Sequence, residues 1–401
     1  MIFSLAEILL LGMLVDWVLR GIGLPGFVGV LALGFALGPQ VVNRLDPALI
    51  GIGPDLRLMA LIIIMLRAGF SLRLSVVGSM GWRLALLAVT PSLAEAALIF
   101  WAARAWLGFT APEALMLGFI IPAVSPAVVV PMMLRFIDER CGAARRAPEM
   151  MLAAASIDNV FNVLMADIAI RLYSKTSESF GHALSALPVS LMMGAIVGVA
   201  AGSLLMRIFE RYNPRATKRT LLVIAGSLLF YRLEKVLAGQ IPFSGLMAAL
   251  VMGAMILEYR ERFAHEIAAK LGKIWIFAEI MLFAMVGAQF QLSAAAGCGI
   301  AGMAILLCGV TVRIVATLGV TAGSLFPFGE RIFFAASNLP KASIQAAFAG
   351  VPLALMQSMG IPVAPGETIL ALAVGSILVT APIGAWLIPR VADRFLTTTE
   401  K

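Results

Sequence analysis

The sequence is poor in charge: only 13% of its 401 residues are Asp, Glu, Lys or Arg, whereas 61% are hydrophobic. So little charge cannot cover the surface of a water-soluble globular protein of this length. The hydrophobic residues form about thirteen continuous runs of membrane-spanning length. Continuous runs exclude a β-barrel, whose strands alternate in polarity. The composition therefore predicts an all-α polytopic membrane protein in a lipid bilayer.

Cysteine and histidine are also scarce. Cys141, Cys298 and Cys308 lack the spacing of a metal site or of a disulfide framework. His182 and His265 fall in expected loops and form no cluster. We therefore expect no cofactor and no enzymatic activity.

The basic residues are distributed unevenly between the loops. We expect thirteen spans, with ends uncertain by roughly three residues, at 2–19, 26–42, 56–70, 84–106, 114–135, 149–172, 186–208, 219–233, 244–257, 274–290, 298–323, 332–355 and 368–388. About 20 Lys and Arg residues follow the odd-numbered spans and only about 7 follow the even-numbered ones. This bias predicts a cell-membrane protein with its amino terminus outside and its carboxyl terminus in the cytoplasm. The net charge of +8 follows this topology, so we expect no nucleic-acid partner.

The sixth span carries an acid in an otherwise apolar run. Asp158 and Asn159 lie side by side within 153–167, which reads AAASIDNVFNVLMAD. A carboxylate at mid-membrane costs about 2.5–3.5 kcal/mol on insertion scales, so it is typical of a functional site. Such a group can hold a proton or a small cation but not both, and Asn162, one turn on, shares its face. The alternative is an acid held at the membrane surface or neutralised by an internal partner.

Two spans are interrupted at matched positions. Ser125 and Pro126 interrupt span 5, and the sequence NLPK, which ends in Pro340 and Lys341, interrupts span 12. Spans 1–6 and 8–13 therefore predict an inverted repeat with two crossed broken helices at a transport site. A simple proline kink is the alternative for either span.

A broken helix exposes backbone groups that need polar partners. Carbonyls near Val124 and the hydroxyl of Ser125 are candidate ligands for a hard cation. We interpret Lys341 as a structural charge that compensates the carboxyl end of a half-helix. Glu95 in span 4 and Arg313 in span 11 have no sequence-local partner, so we expect them to pair with each other across the two halves.

Several of these stretches resemble one family. The sequences LMALIIIMLRAGFSL, GFIIPAVSPAVVVPMML, AAASIDN, VRIVATLG, NLPKASIQAAFAG and SILVTAPIGAWLI are similar to sodium/proton antiporters of the cation:proton antiporter superfamily. The NHA branch of sodium(lithium)/proton exchangers is the best match. The likeness runs from about residue 55 to residue 390, and AVSPAVVVP and LPKASIQAA are its specific parts.

The resemblance implies a homodimer built from one transporter domain over residues 1–390. Its dimerisation part would cover roughly 1–72 and 219–290, its core roughly 84–172 and 298–390, and a linker helix 186–208. Within the core, the resemblance implies cation ligands from the backbone near Val124 and Ala155. It also places the family's aspartate pair at Asp158 and Asn159, and its core acid–base pair at Glu95 and Arg313.

Asn159 departs from the family pattern, because relatives of this branch carry Asp-Asp and other branches Asn-Asp. We expect a monovalent cation (Na⁺ or Li⁺)/proton antiporter that works by alternating access, with Asp158 as its one titrating site and hence electroneutral exchange. One alternative is a transport-impaired or regulatory homologue. Another is a sodium-coupled organic-anion symporter, which should carry more polar groups near the crossing than this sequence has.

Overall fold

A computed structural model describes residues 1–72, 74–142, 144–174, 180–237, 240–323 and 326–396. These residues form seventeen helices. The first eight are α1 (Ile2–Gly21), α2 (Gly26–Leu37), α3 (Pro47–Gly51), α4 (Gly53–Ser71), α5 (Leu74–Trp106), α6 (Ala111–Ile120), α7 (Pro126–Asp138) and α8 (Ala147–Ser174). The other nine are α9 (Phe180–Tyr212), α10 (Ala216–Leu237), α11 (Gly245–Tyr259), α12 (Glu261–Gln289), α13 (Leu292–Thr321), α14 (Phe328–Ser337), α15 (Ser343–Ala349), α16 (Val351–Met359) and α17 (Ala364–Phe395).

The expected all-α membrane fold is confirmed. Each predicted span falls on one helix, except spans 5 and 12, which fall on helices separated by a break. Among the described residues, seven helical segments are long and apolar enough to cross a membrane, and three shorter helices are also apolar. The number of thirteen crossings stays a prediction.

The chain folds as two compact units. The first comprises Met1–Arg57, Met80–Ile170 and Glu279–Lys401, and the second comprises Leu58–Ser79 and Arg171–Ala278. The expected division into dimerisation part, core and linker helix stays a prediction.

The first unit contains both broken spans, and they cross. Residues 121–125 separate α6 from α7, and residues 338–342 separate α14 from α15. At the crossing the Ser125 amide donates to the Pro340 carbonyl over 2.7 Å. Pro126 is the first residue of α7, where a missing N–H costs nothing because that group has no intrahelical acceptor. The predicted crossed breaks are therefore confirmed.

In the second unit, α9 and α11 approach closely because α9 carries glycine every fourth residue. A Cβ at Gly194, Gly198 or Gly202 would press against the backbone or the Cβ atoms of α11. Such a stripe of small residues lets two membrane helices pack backbone to backbone.

Several helices extend beyond the apolar runs that predict them. We predicted loops at both histidines, and this was wrong: His182 lies in α9 and His265 in α12. The reason is physical, since polar residues outside the hydrocarbon core continue a helix without any apolar signal. At Glu261–Gln289, for example, the helix begins 13 residues before the apolar run that starts at residue 274.

Candidate functional site

The buried carboxylate of Asp158 lies on α8, beside the first break. Its Oδ2 accepts a hydrogen bond from the Val124 amide over 2.9 Å. Its Oδ1 accepts from the Ser92 hydroxyl and, over 3.1 Å, from Nη2 of Arg313. Both carboxylate oxygens are thus bound, and only 1% of the residue surface is exposed.

Arg313, on α13, joins two carboxylates. Its Nη1 lies 3.1 Å from Oε2 of Glu95 and also donates to the Pro122 carbonyl over 2.7 Å. Its Nη2 donates to Asp158 and, over 3.3 Å, to Oδ1 of Asn338. A planar guanidinium with five donors suits this bridging geometry. The structure therefore has the expected Glu95–Arg313 ion pair, but Arg313 shares its charge with Asp158.

Lys341, in the second break, also binds Glu95. Its Nζ lies 2.8 Å from Oε1 and 2.9 Å from Oε2 of that carboxylate, and 3.2 Å from the Pro122 carbonyl. We predicted that this ammonium compensates a half-helix end, and the structure corrects that interpretation. A carboxylate offers a full negative charge at hydrogen-bonding distance, whereas a helix end offers only about half a charge.

The four charged groups balance. Glu95 and Asp158 carry two negative charges, Arg313 and Lys341 carry two positive charges, and each residue is at most 1% exposed. Buried charges are stable only when paired and hydrogen-bonded, and this set meets both conditions. We call these four residues the charge cluster.

The carbonyls of the first break have donors of their own. Arg313 and Lys341 both donate to Pro122 O, and Nε2 of Gln345 donates to Ile121 O over 2.8 Å and to Ala123 O over 2.7 Å. The Val124 carbonyl is not among these acceptors.

Other predicted site residues contribute oxygens or space. Within the described part of the chain, the buried atoms Ser125 Oγ and Asn159 Oδ1 have no hydrogen-bond partner. Ala155, one turn before Asp158 on α8, is buried and adds no side-chain donor. At the second break, Pro340 lies against Gly384 of α17. Unpartnered oxygens in a dry site are the atoms that a hard cation can use as ligands.

Sequence reasoning missed two residues of the site. Ser92, on α5, contacts Asp158, Arg313 and Asn162, and Gln345, on α15, holds two carbonyls of the opposite break. The available signal was weak. Ser92 lies three residues before Glu95 and hence on the same helix face, and Gln345 is a lone amide in an apolar run.

Comparison with known proteins identifies the family. The sequence model described as "Sodium/hydrogen exchanger, transmembrane" matches residues 7–393. The chain belongs to the sodium/hydrogen exchanger family. It is 30% identical to sodium/hydrogen exchanger 9B2 of Pongo abelii over 388 residues, which cover 94% of this chain and 71% of the relative. It is 29% identical to the Homo sapiens exchanger 9B2 over 387 residues, with the same two coverages.

The fold of this exchanger-family chain is also that of a solved antiporter. The sodium proton antiporter MjNhaP1 from Methanocaldococcus jannaschii superposes with a TM-score of 0.86 at 20% identity, covering 98% of each chain. At that identity the likeness concerns the fold alone.

Proposed function

We propose that the protein is a monovalent cation/proton antiporter that works by alternating access, with Asp158 as the group that binds proton and cation in turn. One observation carries the proposal: a buried carboxylate lies at the crossing of two broken helices, in a chain that also buries the unpartnered oxygens Ser125 Oγ and Asn159 Oδ1. Na⁺ or Li⁺ is the substrate class that the family membership supports.

In this structure Arg313 stands where a competing cation would act. Its Nη2 satisfies Oδ1 of Asp158 while its Nη1 stays with Glu95. A cation that binds Asp158 replaces the Arg313 bond, and a proton on Asp158 weakens the same bond by removing the negative charge. The candidate ligands are the Asp158 carboxylate, Ser125 Oγ, Asn159 Oδ1 and the carbonyls of Val124 and Ala155.

Charge counting favours exchange of one proton for one cation. The charge cluster sums to zero with Asp158 ionised, so either ligand raises it to +1. Asn159 cannot ionise. Lys341 is held as an ammonium by Glu95 and the Pro122 carbonyl, so it supplies no second proton. The exchange is therefore electroneutral.

The proposal includes the setting of the protein. The excess of basic residues after odd-numbered spans supports an outside amino terminus in the cell membrane. The family resemblance supports a homodimer whose core, roughly 84–172 and 298–390, moves relative to a dimerisation part. The linker helix at 186–208 joins the two parts.

One observation favours a second candidate, a transport-impaired homologue. Both oxygens of Asp158 already have donors, and Asn159 stands where relatives have a second acid. If Arg313 never leaves Asp158, no cation binds.

Reconstituted liposomes separate the two candidates. A pH gradient is imposed, and internal pH is followed while Na⁺, Li⁺ or K⁺ is added. The proposal expects cation-driven proton movement that Asp158→Asn abolishes and Glu149→Gln, at the start of the same helix, leaves intact. A folded wild-type protein that moves no proton with any of the three cations would favour the impaired homologue.

A further inference from the structure

Ser92 has a fixed hydrogen-bond role beside Asp158. Arg313 Nη1 and Asn162 Nδ2 each lie 2.9 Å from Ser92 Oγ, and both are donors only. A serine hydroxyl has two acceptor lone pairs and one proton. With both lone pairs used, its single proton goes to Oδ1 of Asp158.

The orientation of Asn162 is fixed as well. Its Nδ2 also donates to the backbone carbonyl of Asp158 over 2.8 Å. The flipped amide would place its oxygen against that carbonyl and against a hydroxyl whose proton is already committed. Ser92 is therefore held from two sides as a donor to Asp158.

We propose that Ser92 is a positioning residue that sets the pH at which Asp158 exchanges its proton. Its hydroxyl donates to the ionised carboxylate and so favours the charged form over the protonated one. The charged groups around that carboxylate are Arg313 on α13, Glu95 on α5 and Lys341 in the second break. Ser92 is the neutral group that contacts both Arg313 and Asp158. This inference rests on the proposed function, since it assigns Ser92 a role at the same site.

The test compares titrations of one carboxyl group. Infrared difference spectra of the reconstituted full-length protein follow the C=O band of protonated Asp158, which is assigned by its loss in Asp158→Asn. In Ser92→Ala the titration midpoint should move to higher pH by about one unit, a tenfold change in proton affinity. The pH profile of cation exchange should move in the same direction.

Two further variants separate positioning from packing. Ser92→Thr keeps the hydroxyl and should retain the wild-type midpoint. Ser92→Cys keeps the size but donates weakly, so its midpoint should approach that of Ser92→Ala. Ser227→Ala is the matched control, because Ser227 is equally buried but donates only within its own helix, to Val223 O over 2.9 Å.

The outcomes distinguish this inference from the proposed function. A midpoint that is unchanged in both Ser92→Ala and Ser92→Cys overturns the role of Ser92, even if the wild type exchanges cations normally. A shifted midpoint in a protein that exchanges no cation supports the role of Ser92 and contradicts the proposed function.

Discussion

Lys341 and Glu95, 246 residues apart in the chain, form a buried ion pair in which the Lys341 Nζ contacts both oxygens of the Glu95 carboxylate. Glu95 also accepts from Arg313, which in turn holds Asp158. One unbroken set of contacts therefore runs from the second break to the candidate transport site. The charge on any member depends on all the others.

Removing Glu95 alone should be costly, because Arg313 and Lys341 then share only one buried carboxylate. We expect Glu95→Gln to destabilise the protein by about 3–5 kcal/mol. Removing one charge of each sign, in Glu95→Gln with Lys341→Met or with Arg313→Met, should cost less than the summed single changes. Thermal unfolding in detergent measures the effect.

The control for this cycle is Glu139→Gln, which breaks an exposed pair with Arg135 and should cost at most about 1 kcal/mol. A double change that is as harmful as the two single changes together would refute the coupling within the cluster.

Gly384 of α17 should tolerate no side chain, because a Cβ there would overlap the ring of Pro340. Gly384→Ala must displace the second break, so we expect lower exchange activity and a lower melting temperature. Gly375→Ala, on the same helix, is the matched control. Its Cβ would lie 3.5 Å from Leu306 Cδ1, an ordinary contact. Equal effects of the two changes would show that the Pro340 position does not matter.

Glu330, at the start of α14, makes stability depend on pH. Burial raises the pKa of its carboxyl above the ordinary 4.5, and the bond from Arg145, with Nη1 3.2 Å from Oε1, only partly opposes this. The folded state thus prefers the protonated acid. Its stabilising contribution is full below the ordinary pKa and is lost as pH rises through the raised one.

Relative to Glu330→Gln, the wild-type melting temperature should therefore fall between about pH 5 and pH 8, by a few degrees. Scanning fluorimetry in detergent measures both proteins across this range. A difference that stays constant, or that favours the wild type more at high pH, would contradict the assignment.

The breaks could be predicted from sequence, but their partners could not. Pro126 and Pro340 interrupt apolar runs beside polar residues, and a proline without an N–H disrupts a helix locally whatever surrounds it. The pairing of Glu95 with Arg313 follows from the cost of an unpaired buried charge. Both inferences need no knowledge of how distant segments meet.

The rest of the site depends on tertiary geometry. Ser92 reaches Asp158 across 66 residues, and Gln345 reaches Ala123 across 222. Serine and glutamine are common enough that neither marks a site by itself. The choice of Glu95 by Lys341 is decided by a distance of 2.8 Å, which no local pattern encodes.

Asn159→Asp should change the charge carried per cycle. It adds a second titrating group beside Asp158, so two protons can leave for each cation that binds. One net charge then moves, and an imposed potential of 100 mV contributes about 2.3 kcal/mol. We expect the equilibrium cation ratio to shift by about 50-fold per 100 mV. Exchange by this variant that ignores voltage would show that residue 159 does not exchange protons.

The measurement that tests the account most directly is the voltage dependence of exchange by the unmodified protein. Liposomes carry the wild-type chain, a potassium ionophore sets the potential, and sodium and proton fluxes are followed at 0 and 100 mV. The account predicts the same rate and final sodium ratio at both potentials, because only Asp158 titrates. A ratio that shifts by about 50-fold, or exchange that persists in Asp158→Asn, would show that the exchanged charge lies elsewhere.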